Sequence, residues 1–268
     1  NPLNTFKTNI IGTANILEGL RISNHKCTAI IITSDKSYDN VEWVYGYRES
    51  DRLGGKDPYS GSKGAAELVI KSYTESFFMN DNSNLRLGVG RAGNVIGGGD
   101  WAPYRVIPDC VRSWSKNEAP KIRSPYSTRP WQHVLEPLSG YLSLASHLAS
   151  SSNLNGESFN FGPAADQDYS VADLVDEVIK HWPDKKWINK SNENEFPDEA
   201  GLLKLNCDKA KSKINWKSTL TFEETSKWTA EWYRTYYTKG ESEALKITQS
   251  QIKKYMNLSQ KRSSFQIF

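Results

Sequence analysis

A doubly wound α/β fold is predicted from three observations. Apolar residues recur at helical spacing through Phe6, Ile10, Ala14 and Leu17; a continuous β-branched run follows at Thr28–Ile32; and Pro58 opens a second helical stretch. An uninterrupted apolar run of this length is what a strand covered on both faces of a parallel sheet requires. Residues 5–22 therefore read as a crossover helix feeding that strand. Pro58 suits a helix start, and the helix it opens runs over 59–79 with an apolar stripe through Ala66, Leu68, Val69 and Phe77. Leu85–Gly90 reads as the next strand. In the second half the pattern predicts helices near 134–149, 171–182, 207–213 and 221–238, with a strand at Glu157–Phe161 between the first two. Trp228, Trp232 and Tyr236 mark a buried stripe on the last helix. Ser151–Gly156 is a polar linker, and residues 257–268 read as a loosely held tail.

Composition narrows the classes of function. The 268 residues suit a two-lobed α/β protein. A net charge of +3, scattered along the chain, argues against nucleic acid as a partner. No run approaches the roughly 20 apolar residues of a membrane span. Cys27, Cys110 and Cys207 are odd in number and far apart, which implies neither a metal site nor a disulfide framework and suits a reducing cytoplasm. Most of the nine tryptophans are expected in cores or interfaces; Trp101 and Trp131 are the ones expected to shape a site.

Chemistry enters at Asp57-Pro58-Tyr59-Ser60-Gly61-Ser62-Lys63. Tyr59 and Lys63 lie four residues apart, so a helix puts phenol and ammonium on one face. A free phenol has a pKa near ~10 and is a poor base; a neighbouring ammonium favours the phenolate and brings it toward the working range. Taken alone the pair equally describes a surface helix contact. A second cluster, Thr33-Ser34-Asp35-Lys36, follows the Thr28–Ile32 strand directly and so sits at its carboxyl end, where open α/β sheets bind ligands. Gly88-Val89-Gly90-Arg91-Ala92-Gly93 matches G-x-G-x-x-G, but its glycines fall within a strand and no helix opens at the last one. Its small residues are expected to let a ligand approach the sheet closely instead.

The strings Asn9-Ile10-Ile11-Gly12-Thr13, Thr33-Ser34-Asp35-Lys36-Ser37-Tyr38 and Pro58-Tyr59-Ser60-Gly61-Ser62-Lys63 together resemble the extended short-chain dehydrogenase/reductase family, the nucleotide-sugar enzymes. Arg91–Trp101 and Arg129–Leu138 are similar to the 4,6-dehydratase branch that acts on CDP-glucose, and the likeness runs from residue 2 to about residue 235. The resemblance implies a Rossmann-like domain over 1–93 and 127–163, and an interleaved sugar-nucleotide-binding lobe over 94–126 and 164–256. It implies NAD as cofactor, a homodimer or homotetramer, and CDP-glucose as the bound partner. The catalytic set would be Ser34, Asp35, Lys36, Tyr59 and Lys63. NAD contacts would come from Asn9, Thr33, Tyr59, Lys63, Arg91, Asn94 and Val95, and sugar-nucleotide contacts from Asn94, Arg105, Arg123, Arg129 and Glu199.

The dTDP-glucose and GDP-mannose dehydratases resemble this chain but place a glutamate where it has Lys36, whereas the lysine is also similar to the inverting UDP-N-acetylglucosamine dehydratases; that enzyme, or an epimerase of the same fold, is the alternative. Family members also open with a strand, a glycine-rich turn and a helix that hold the cofactor pyrophosphate. No such unit precedes residue 5, so roughly a hundred residues of the βαβ pattern are expected to be missing, and a fragment inactive by itself is the third reading.

Overall fold

The computed structural model describes residues 1–23, 25–80, 83–164, 166–191 and 201–264. Two compact units emerge: residues 1–93, 137–165 and 203–217 in one, and 94–136, 166–202 and 218–268 in the other. This differs from the expected division, beyond a two-residue shift at 164–165 and the inclusion of 257–268 in the second unit, at two places. Residues 127–136 belong to the second unit because Gln132–His133 pairs in parallel with Val95–Ile96. Residues 203–217 belong to the first because Leu203 and Leu205 pack with Tyr38 and Tyr47.

In the first unit, α1 (Pro2–Phe6) passes through a π-helical turn (Lys7–Ile11) into α2 (Gly12–Ser23). Strand β1 (Cys27–Ile32) follows, then a 3-10 turn (Asp35–Ser37), then α3 (Pro58–Tyr73), which ends in a π-helical turn (Thr74–Phe78). β2 (Leu85–Ala92) lies between β1 and, after the chain returns, β7 (Ser158–Phe161); all three run parallel. Alternation along β2 organises both layers, since successive side chains leave opposite faces. Leu85, Leu87 and Val89 pack with Leu17 of α2 and Ile70 of α3. Gly88 and Gly90 face the other way, toward helix α5 (Leu135–Ser150), where a Cβ on Gly88 would lie 2.8 Å from Leu148 and one on Gly90 would lie 2.5 Å from Tyr141. The glycines therefore admit a helix, not a ligand, which corrects the expectation for that motif.

Two further expectations change. Among the described residues β1 pairs with β2 alone and is only half-covered, with Ile32 exposed, so its apolar run is not enclosed on both faces there. On α3 the covered face carries Ser60, Ser62, Gly64, Ala66, Glu67 and Ile70, whereas Leu68 and Phe77 are exposed. The expected stripe is therefore split: Ala66 and Val69 face the core, and Leu68 and Phe77 face outward.

The second unit is built from short ladders and helices: β3 (Val95–Ile96), α4 (Val106–Ser115), β4 (Lys121–Ile122), β5 (Thr128–Arg129), β6 (Gln132–His133), β8 (Tyr169–Ser170), α6 (Val171–Ile179), β9 (Ile188–Asn189), α8 (Phe222–Lys239) and α9 (Glu241–Ser264). Helix α7 (Asp208–Ile214) lies in the first unit and packs beside β7. Ile107, Val111, Trp114, Trp131, Leu174, Val178, Phe222 and Tyr233 share the second unit's core. Both α6 and α8 start with a capping box, Ser170 with Asp173 and Thr221 with Glu224, so each first turn satisfies amides that no helical carbonyl can reach. Residues 257–264, read as a loose tail, continue α9. Polar pins hold that helix: Thr248 Oγ1 accepts from Trp232 Nε1 at 2.7 Å, Tyr255 gives its O–H to buried Glu136 at 2.8 Å, and Arg262 grips Glu224 with two bonds of 2.8 Å.

Candidate active site

Ile32 ends β1, and the chain turns within four residues. Ser34 caps this turn by accepting the Lys36 amide, donates to Asp35 Oδ1 at 2.9 Å, and its carbonyl receives the Ser37 hydroxyl. The Asp35 carboxyl is thereby fixed while only 3% exposed. Lys36 lies half-exposed beside it, and its charge reaches Asp57, the residue that caps α3.

Helix α3 starts where it does because Asp57 accepts the amides of Tyr59 and Ser60, at 2.9 and 3.0 Å, and the Ser60 hydroxyl, with Pro58 in the first turn. Burial alone would raise the Asp57 pKa; these bonds and Lys36 hold it below the usual carboxylate range. The glycine hinge before it locks turn to helix. Gly54 donates its amide to the Ser37 carbonyl, and a Cβ on Gly64 of α3 would sit 3.0 Å from the Gly54 backbone. The turn with Asp35 and Lys36 is thus brought against the helix with Tyr59 and Lys63.

Tyr59, Lys63 and Glu67 climb this helix at intervals of four. Tyr59 is 47% exposed, and Lys63 Nζ lies 5.9 Å from its ring centroid. Burial draws the Lys63 ammonium below its ordinary pKa, against an opposing pull from Glu67. Glu67 itself is buried and holds Arg91 Nε and Nη2, each at 2.8 Å. Arg91 also donates to Tyr38 Oη, the Glu49 carbonyl and Ser158 Oγ. A guanidinium has five N–H donors, and all five are engaged inside the protein. Arg91 therefore has none to offer a cofactor, and the expected contact is replaced by a structural one. Thr33 and Asn9, also expected at the cofactor, have turned inward too: the Thr33 hydroxyl donates to Glu67, and Asn9 gives an amide hydrogen to Ser62 at 2.9 Å.

In the second unit, Asn94 accepts the Gln132 amide at 3.0 Å, and Val95 pairs with Gln132. Arg129 is buried, and one of its guanidinium hydrogens goes to the Thr128 carbonyl at 2.7 Å. Arg105 is exposed and pairs with Asp100 at 3.6 Å, and Arg123 is exposed; Glu199 lies outside the described residues. Of the two tryptophans expected at a site, Trp131 is buried and Trp101 is partly open, its ring 5.3 Å from Tyr233 and 5.0 Å from Tyr236. The loop before it is clamped. Tyr233 donates to the Asp100 carbonyl at 2.7 Å, and a Cβ on Gly98 would lie 2.0 Å from the Trp232 ring.

Sequence reasoning missed Glu67, Tyr38, Asn160 and Tyr141. Tyr38 gives its hydroxyl to Asn160 at 2.7 Å, and Asn160 in turn donates to the carbonyls of Tyr47 and Asn206. Glu67 was readable as the next member of the Tyr59–Lys63 series. The spacing of Gly88 and Gly90 signalled a helix passing close by, which is the signal for Tyr141.

The family model described as GDP-mannose 4,6 dehydratase matches residues 1–229. A CDP-glucose 4,6-dehydratase of Salmonella typhimurium is 44% identical over 261 residues, covering 96% of this chain and 71% of that protein. A CDP-paratose 2-epimerase of Salmonella typhi is 28% identical, over 65% of this chain and 56% of its own length. Among solved structures, a dTDP-glucose 4,6-dehydratase of Bacillus anthracis in complex with NAD superposes with a TM-score of 0.71 at 21% identity, over 88% of this chain and 70% of that one. A UDP-N-acetylglucosamine 4-epimerase of Methanobrevibacter ruminantium gives 0.72 at 22%, over 88% and 71%. At those identities the structural likeness speaks for the fold, whereas the extent of the family match and the 44% relative speak for the lineage: this chain belongs to the sugar-nucleotide 4,6-dehydratase family.

Proposed function

We propose that this protein dehydrates CDP-glucose to the 4-keto-6-deoxy sugar nucleotide with NAD as a recycled cofactor. The observation that carries the reading is the buried acid Asp35 followed by Lys36, on a turn packed against the helix of Tyr59 and Lys63, in a chain 44% identical to a CDP-glucose 4,6-dehydratase. The donor set fits a nicotinamide dinucleotide. A half-exposed phenol beside an ammonium drawn down by burial, at the carboxyl end of parallel strands, suits a ribose hydroxyl and a reacting alcohol. Bound NAD supplies a hydride acceptor at C4 and a hydride donor at C6.

The residues divide the remaining work. Tyr59, poised by Lys63, takes the proton from the C4 hydroxyl, because oxidation proceeds as the alkoxide forms. The resulting ketone acidifies the C5 hydrogen. Lys36 removes that proton while Asp35 protonates the departing C6 hydroxyl, Ser34 holding the Asp35 carboxyl in place. Asn94, Arg105, Arg123, Arg129 and Glu199 are assigned to the sugar nucleotide, with Arg129 suited to the diphosphate because a guanidinium makes two parallel bonds to it. Val95, with Tyr59, Lys63 and Asn94, remains on the cofactor side.

A second copy of the chain completes the proposed assembly. Leu3, Ile11, Ile16 and Ile22 on the α1–α2 segment, Leu68 on α3 and Phe77 in the turn that follows it leave apolar side chains exposed, which a four-helix contact in a homodimer would cover. No helix among the described residues is long and apolar enough to cross a membrane, and a cytoplasmic reaction is proposed.

The direct test supplies CDP-glucose and NAD and follows the alkaline absorbance of a 4-keto sugar. Dehydration is expected. Conversion of UDP-N-acetylglucosamine but not CDP-glucose would favour the inverting dehydratase, and an isomer formed without loss of water would favour an epimerase.

A further inference from the structure

The turn that carries Asp35 and Lys36 hangs between two anchors, and both reach α3. Inside the turn, Ser34 Oγ accepts the Lys36 amide at 3.2 Å and donates to Asp35 Oδ1 at 2.9 Å, while the Ser34 carbonyl accepts the Ser37 hydroxyl at 2.7 Å and the Asp35 carbonyl accepts the Tyr38 amide at 3.3 Å. These bonds make the turn one piece. Its exit is anchored where the Ser37 carbonyl accepts the Gly54 amide at 2.9 Å, with the Gly54 backbone packed on Gly64 of α3. Its entrance is anchored at Thr33. The Thr33 amide donates to the Gly90 carbonyl of β2 at 2.9 Å, and the Thr33 hydroxyl donates to Glu67 Oε1 on α3. Glu67 is itself fixed, since its carboxylate is buried and held by Arg91 through two bonds of 2.8 Å. It stands one helical turn beyond Lys63, which stands one turn beyond Tyr59.

We propose that Thr33 is a positioning residue, its hydroxyl bond to Glu67 setting where the Asp35–Lys36 turn stands relative to Tyr59 and Lys63. The inference rests on the proposed dehydratase reading, in which one sugar must meet both pairs of residues. Tyr59 and Lys63 serve the C4 hydroxyl. In the elimination that follows, Lys36 receives the C5 proton and the C5–H electron pair becomes the C5–C6 double bond. The C6–O bond breaks with its electron pair on oxygen, which takes the Asp35 proton and leaves as water. The first pair is carried by α3 and the second by the turn, so the joints between turn and helix set their separation. The exit joint is made by backbone alone. The entrance joint is one side-chain hydrogen bond, and it lies next to Ser34, the residue that holds the Asp35 carboxyl. A misplacement of about 1 Å at a reacting group can cost on the order of 10²-fold in rate, so a single bond at this place carries weight.

Thr33→Val keeps the β-branched shape, removes the hydroxyl and leaves both Arg91 bonds to Glu67 in place, whereas a change at Glu67 would break those bonds as well. Enzyme mixed with CDP-glucose and NAD is followed by the absorbance of reduced nicotinamide and by release of the 4-keto product, with Thr33→Ser and Asp35→Asn run in parallel. Thr33→Val is expected to form reduced cofactor within about twofold of the normal rate, to accumulate it several-fold above wild type, and to release product roughly 10-fold more slowly. Loss of one hydrogen bond should lower its thermal midpoint by about 2–4 °C. Thr33→Ser keeps the donor and is expected to restore the wild-type partition between oxidation and elimination. A framework role alone would lower the midpoint and leave that partition unchanged. Wild-type partition in Thr33→Val, equal slowing of both steps, or the same shift in Thr33→Ser as in Thr33→Val therefore overturns the proposal. In each of these cases the acid assignment stands if Asp35→Asn accumulates reduced cofactor. Should Asp35→Asn accumulate none, the acid assignment fails and the positioning role with it.

Discussion

The two ends of one stripe on α3 carry charged or titratable groups to opposite purposes. At the upper end, Tyr59 is 47% exposed and Lys63 is half-buried, its Nζ 5.9 Å from the Tyr59 ring centroid. Two turns down, Glu67 and Arg91 are buried, paired twice at 2.8 Å, and joined to Tyr38, the Glu49 carbonyl and Ser158. Chemistry needs groups that still face a ligand; architecture needs groups whose every bond is made. The intermediate position of Lys63, drawn down by burial yet pulled up by Glu67, shows that the structural end also sets the charge environment of the reactive end.

The largest expected effect breaks the upper end alone. Tyr59→Phe should lower turnover by about 10³-fold or more, since removal of the base stops the first step. The thermal midpoint should stay within a degree or two of wild type, because the hydroxyl sits on a half-exposed side chain. A folded Tyr59→Phe enzyme with near-normal dehydration would sink the assignment.

Breaking the lower end should do the reverse. Glu67→Ala leaves the Arg91 guanidinium buried without its carboxylate, and removing one partner of such a pair costs about 3–5 kcal/mol. Urea unfolding should show this loss. Replacing both residues by apolar ones of similar volume should restore much of the stability, because the uncompensated charge is then gone. If Glu67→Ala proves as stable as wild type, the pair is not what fixes β2 to α3.

How much of this was legible follows the same divide. The upper end was readable because its spacing, Tyr59 to Lys63, is local, and because Asp35 and Lys36 follow a recognisable apolar run. The lower end was not, since Arg91, Tyr38, Asn160 and Glu67 meet only through the parallel register of β2 with β7 and its packing on α3. Element positions fared similarly. Helices were found at most places where apolar residues recur every three to four positions, but α4, with Ile107, Cys110, Val111 and Trp114 at that spacing, was not, and the covered face of α3 is lined by Ser60, Ser62 and Gly64, which no hydrophobic count selects. Helix α9 escaped because it is held by Thr248, Gln251, Tyr255 and Arg262 through hydrogen bonds.

His133 sharpens the comparison as a third case, a buried titratable group kept neutral instead of paired. It is only 2% exposed, its Nδ1 accepts the Leu135 amide, its Nε2 has no partner, and burial lowers its pKa to about 4. The folded value lies below the unfolded one, so the unfolded chain binds the extra proton first. Stability from this group is therefore full above about pH 6.5 and is lost as pH falls from there toward 4, reaching about 3 kcal/mol at the lower end. Wild type and His133→Gln should diverge in unfolding free energy across that window and run parallel above it. Parallel curves throughout would show that His133 is charged when folded or unshifted.

The smallest effect asks whether a buried arginine is spent or serving. Arg91 and Arg129 are 3% and 7% exposed, so burial does not distinguish them. Their settings do: Arg91 has its five donors taken by side chains and a carbonyl of its own unit, while Arg129 stands in Arg129-Pro130-Trp131, the string assigned to the substrate diphosphate. A lysine keeps the charge at either place but loses the planar fork. Arg129→Lys should raise KM for the sugar nucleotide about 10-fold, a loss of ~1.4 kcal/mol, with kcat within about twofold, because a grip on the diphosphate is equally strong before and during reaction. Arg91→Lys should instead leave KM near wild type and lower the unfolding midpoint. If the two variants exchange these signatures, the diphosphate is held from the first unit and Arg129 belongs to the framework; an unchanged KM in both would move the search to Arg105 and Arg123.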